Sequence, residues 1–108
     1  MNTASADSRR SWRVSLDDRS VALEIALLKR TYVLPWHQFL YAEGGDNEVH
    51  AVFAMHKVIV RGAGLTALLA DLAAQNVIVI WEPTRADRFE SPRDRFIREV
   101  DVRELKEE

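Results

Sequence analysis

Apolar residues recur at every second position along most of this chain, but between 65 and 75 they recur at helical spacing instead. A period of two puts one set of side chains on each face of a strand, whereas a period near 3.6 gathers a stripe along a helix. The pattern therefore predicts a sheet-dominated α+β domain with one main helix. Trp12, Val14 and Leu16 alternate with Arg13 and Ser15. Val49, Ala51, Phe53 and Met55 alternate with His50, Val52, Ala54 and His56. Leu65, Leu68, Leu69 and Leu72 mark the helix, expected over about 64–75, and alanine fills much of the remainder. The run over 77–81, Val-Ile-Val-Ile-Trp, has the continuous apolar character of a strand buried on both faces.

Punctuation sets the remaining elements. Gly44-Gly45-Asp46-Asn47 is the clearest turn, and it joins the strands on either side into a hairpin. Asp17-Asp18-Arg19-Ser20 is a second turn, which makes the segment from Trp12 the first arm of another hairpin. Residues 21–28 fit both a strand and a helical face; the short link before them favours an antiparallel return, so they are read as strand. Pro35 lacks a ladder donor and separates 31–33 from 36–42, as two strands or one bent edge strand. Residues 57–61 continue the sheet. The strand, helix and strand from 57 to 81 form a β-α-β unit if the two strands are parallel neighbours. The C-terminal segment over 93–105 reads two ways: Ser91-Pro92 with Asp94 resembles a helix start, while Phe96, Val100 and Val102 suit a last strand, the reading adopted. The expectation is a largely antiparallel twisted sheet of about 5–7 strands.

With 108 residues, 47% hydrophobic and 30% charged, one soluble core is expected, with residues 1–10 as a disordered polar tail and 11–108 as a single domain. The chain has no cysteine, so disulfides, thiolate nucleophiles and cysteine-ligated metals are excluded. No run approaches the roughly 18 apolar residues of a membrane helix. The N-terminus lacks the apolar stretch of a signal peptide, and a cytoplasmic location is the resulting expectation. A net charge of −2 supplies no field for general nucleic-acid binding.

Gly62-Ala63-Gly64-Leu65-Thr66-Ala67 follows a strand and opens the helix, and Glu82 ends the next strand. The spacing resembles the dinucleotide-binding fingerprint of Rossmann-type oxidoreductases. That resemblance implies Gly62, Gly64 and Ala67 as a phosphate loop at a helix N-terminus and Glu82 as the ribose ligand. A dinucleotide domain opens with this motif, however, whereas here more than half of the chain precedes it. The same residues serve equally as a sharp strand-to-helix turn with close helix packing. Val58 to Gly62 also bears a faint resemblance to the second signature of Sm-like RNA-binding proteins, a hydrophobic strand ending in Arg-Gly; there another strand follows, whereas here the helix does.

His37, His50 and His56 are the only candidate nitrogen ligands, and their spacing along strands disfavours a shared metal. No nucleophile elbow, H-E-x-x-H or nucleotide P-loop is present. Tyr32, Trp36, Phe39, Tyr41 and Phe53 concentrate the aromatic residues centrally, which suits either core packing or an interface. Trp36, Tyr41 and Trp81 are the interface candidates. The sequence thus points to a non-catalytic interaction module without a cofactor, most simply a homodimer, with an unknown protein as the other partner; nucleotide binding at 62–64 is the alternative.

Overall fold

The computed structural model describes residues 12–15, 20–84 and 96–105. The expected tail over 1–10, the turn residues 17–19 and the helix-start signature at 91–94 lie outside the described residues. Among the described residues, eight strands, one helix and a 3-10 turn follow in the order β1 (Trp12–Val14), β2 (Ala22–Ala26), β3 (Thr31–Pro35), the 3-10 turn Trp36–Gln38, β4 (Phe39–Gly44), β5 (Glu48–Phe53), β6 (His56–Ala63), α1 (Thr66–Ala73), β7 (Val77–Trp81) and β8 (Phe96–Glu104). The α+β class and the antiparallel character are as the sequence predicts.

The strands form two four-stranded sheets rather than one. The first has the order β1-β7-β2-β3 and the second β4-β5-β6-β8. Every pairing is antiparallel except that of β7 with β2. Two local expectations are corrected. The short link after β1 does not make β1 and β2 a hairpin, because β7 lies between them, antiparallel to β1 and parallel to β2. The succession β6-α1-β7 is present, but β6 and β7 belong to different sheets, so α1 carries the chain from one layer to the other. Pro35 ends β3, and the 3-10 turn at Trp36 transfers the chain to β4 at the edge of the second sheet. Trp36–Gln38, expected as strand, is that transfer.

One hydrophobic core unites the layers. It joins Leu23, Ile25 and Ile80 of the first sheet, Val49, Phe53, Val58 and Val60 of the second, and Leu65, Leu68 and Leu72 of the helical segment. Each of these leucines is fully buried, and the spacing of three to four residues that announced the helix is the reason. Trp12 Nε1 donates to Asp71 Oδ2 at 2.9 Å, tying the first sheet to α1. The helix stops at Gln75, whose φ of 56° is left-handed and whose N–H donates to the Leu72 carbonyl. The Gln75 and Asn76 carbonyls then accept from the N–H groups of Ser20 and Ser15, so the helix stop also holds the residue after β1 and one shortly before β2.

Candidate interaction surface

Alternation divides the second sheet into two faces. Val49, Ala51 and Phe53 of β5 and Val58 and Val60 of β6 point into the core. The opposite face therefore carries Tyr41 and Glu43 of β4, Glu48, His50 and Val52 of β5, Lys57, Ile59 and Arg61 of β6, and Glu99, Asp101 and Arg103 of β8. Register sets Val52 between Tyr41 and Lys57, and Ile59 between His50 and Asp101. Val52 and Ile59 are buried although they lie outside the main core. Long neighbouring side chains shelter apolar surface in this way by laying their stems across it.

One end of this outer face is a polar network. His50 Nε2 donates to Glu48 Oε2 at 2.6 Å, and Arg61 Nε donates to Glu48 Oε1 at 3.0 Å. Arg61 Nη1 lies 3.7 Å from Glu99 Oε2. The hydrogen bonds from His50 and then from Arg61 hold the Glu48 carboxyl below its ordinary value. His50 Nδ1 is buried and finds no partner among the described residues.

The other end, which also carries Lys57 and Arg103, exposes apolar side chains. Leu40 is 61% exposed, Tyr41 52%, Met55 57% and Leu105 36%, four of the seven large apolar side chains exposed among the described residues. Backbone bonds bring their segments together: Ala54 N–H donates to the Gln38 carbonyl at 2.8 Å, and Leu105 N–H to the Met55 carbonyl at 2.9 Å. Leu40 stands where the β4–β5 register shifts, between Phe39 opposite Phe53 and Tyr41 opposite Val52. A bulge of this kind re-aims the extra residue, here outward.

The three aromatic candidates separate. Trp36 is 5% exposed and packs on Phe39 and Phe53 with ring centroids 5.1 and 5.7 Å away, so it is core. Tyr41 is exposed on the open edge strand of the second sheet, and Trp81 is half-buried at the end of β7. The histidines do not converge. His37 is exposed on the 3-10 turn, His50 sits in the Glu48 network, and His56 meets the Tyr32 ring edge-on at 5.6 Å across the two layers. No group of three or more His, Asp or Glu side chains that could hold a metal occurs among the described residues.

The glycine motif is where a phosphate loop would lie, but its polar groups face a carboxylate of the chain itself. Asp46, in the β4–β5 turn, accepts from Gly64 N–H through Oδ2 and from the Thr66 hydroxyl through Oδ1, both at 3.2 Å. Its carbonyl accepts from Leu65 N–H at 2.9 Å. Gly64 takes a φ of 68°, the left-handed value that a sharp turn requires. Gly62 lies within β6, and a side chain there would meet the Phe96 carbonyl and approach Ile97 Cα to 2.9 Å. Ala67 is half-buried in the first turn of α1. Glu82 Oε1 accepts from Leu28 N–H at 2.8 Å, and Glu82 N–H donates to the Ala26 carbonyl.

The exposed apolar end of the second sheet is the signal that alternation alone missed, since Leu40, Met55 and Leu105 fall at a bulge, a turn and a strand end. No helix among the described residues is long and apolar enough to cross a membrane. No known protein family, curated protein or solved structure matches the chain.

Proposed function

We propose that this protein is a non-catalytic interaction module that self-associates, with the apolar end of the second sheet as its contact surface. The observation that carries the reading is the exposure of Leu40, Tyr41, Met55 and Leu105 along one end of a single sheet, from its β4 edge past the β5–β6 turn to the end of β8. Exposed apolar surface marks interaction sites, and Met and Tyr are enriched there. Its modest extent fits a reversible, weak association rather than an obligate one.

The alternative, nucleotide binding at Gly62–Gly64, requires an incoming phosphate to displace the Asp46 carboxylate, a charge of the same sign. Sedimentation or light scattering from about 1 to about 100 μM spans the dissociation constants of such weak complexes. The expected result is a mass that rises toward twice that of the chain, with Leu40→Lys holding it at the monomer value. A monomer mass across the whole range overturns the reading.

A further inference from the structure

We propose that two copies join by antiparallel pairing of β4 with β4 about a two-fold axis at Ala42, so that the second sheet continues through eight strands. The proposal rests on the self-association reading and names its geometry. The four sheet edges differ in how they resist pairing. β1 is three residues long, and β8 carries exposed Arg98, Glu99, Arg103 and Glu104. β3 is bounded by exposed Lys29 and Arg30 at one end and by Pro35, which has no donor, at the other. β4 has neither proline nor a basic side chain, and it shows Leu40 and Tyr41 to solvent.

Side-chain matching selects the register. An axis at Glu43 sets two carboxylates directly opposite, which is repulsive. An axis at Tyr41 sets Phe39 against Glu43 of the second copy, although the bulge turns these two toward opposite faces. An axis at Ala42 sets Tyr41 against the second copy's Glu43, Ala42 against Ala42, and Leu40 against Gly44, which offers its bulk no side-chain obstacle. It also carries the acid-bearing end of each β4, with Glu43, Asp46 and Glu48, toward the exposed His37 of the other copy. The two acid ends are thereby kept apart, whereas a parallel arrangement would bring them together.

The absence of native cysteine makes the test direct. Opposed residues in an antiparallel pair have Cα atoms about 4.5–5.5 Å apart, within disulfide reach. Two positions along, the symmetry mates are about 8 Å apart, beyond that reach. Under mild oxidation Ala42→Cys is expected to form covalent dimer at least about tenfold faster than Glu43→Cys on β4 or Val33→Cys on β3. Ala42 is half-buried, so unmodified protein supplies an independent reading: amide exchange over β4 slows as concentration rises, while that over β3 and β8 does not. A dimeric mass with cross-linking at Val33→Cys, or with no concentration-dependent protection over β4, overturns the β4 pairing and leaves self-association standing. A monomeric mass at every concentration overturns both.

Discussion

Asp46→Ala removes two side-chain hydrogen bonds, from Gly64 N–H and the Thr66 hydroxyl, and leaves the main-chain bond to Leu65 N–H in place. Each lost bond is exposed and 3.2 Å long, which puts it near the low end of the usual range, about 0.5 kcal/mol net. Loss of a negative charge at the N-terminus of α1 adds about 0.3–1 kcal/mol. The sum is about 1.5 kcal/mol, or a fall in Tm of about 6–9 °C for a domain of this size. Asp46→Asn keeps an acceptor oxygen and is expected to lose less. In a double-mutant cycle, Asp46→Ala and Thr66→Ala should couple by about 0.5 kcal/mol, because they share one bond. Urea denaturation followed by circular dichroism measures these three single variants and the double mutant. A loss below about 0.3 kcal/mol for Asp46→Ala, within the scatter of ordinary surface substitutions, would refute the idea that the β4–β5 turn secures the entry to α1. A nucleotide that stabilises the wild type but not Gly64→Asp would refute it in another way, by showing that the Asp46 carboxylate yields to phosphate.

Three further outcomes are expected. Gly62→Ala pushes a methyl group into the β8 backbone at Phe96 and Ile97 and should cost about 1–3 kcal/mol, read as a lower urea midpoint with an unchanged slope. Gln75→Gly relieves a left-handed residue at the end of α1 and should raise stability by about 0.5–1 kcal/mol, seen as a higher Tm. The Glu48 carboxyl is held below its ordinary value of 4.5, so the stability it contributes is complete above that pH and disappears as pH falls through its folded value. A Tm series from pH 7 to pH 3 should therefore decline less steeply at its acid end for Glu48→Gln than for the wild type.

The elements were legible because each depends on local pattern. The helix, the β4–β5 hairpin around Gly44–Asn47, the break at Pro35 and the last strand all follow from period, turn residues or a missing donor. Ala22–Ala26, where strand and helix competed, became strand. There Leu23 and Ile25 are buried while Glu24 is exposed, an alternation that only a strand provides. What local pattern does not encode is the partner. β7 pairs with β2 across more than fifty residues, in the only parallel ladder among the described residues. The short Asp17–Ser20 link suggested that β1 would pair with β2, but the β-branched residues of β7 fill the space between them. Val77 and Ile80 enter the core, and Val79 is buried on the other face. A strand apolar on both sides is most stable at a position flanked by neighbours, which is where β7 lies.

The candidate site was legible only in part, and the reason is chemical type. Aromatic residues draw attention as interface anchors, yet Trp36 fills the core with Phe39 and Phe53 while Tyr41 remains exposed. The glycine motif illustrates the same ambiguity from the side of the backbone. Glycines mark places where something comes too close for a side chain, and a dinucleotide is one such object. Here Gly62 admits the backbone of β8, and Gly64 turns the chain so that its N–H meets Asp46. Both approaches are internal to the protein and together account for the spacing of the two glycines. The acid that seals the turn comes from the opposite end of β4 to Leu40, so one hairpin both secures the helix and presents the exposed edge.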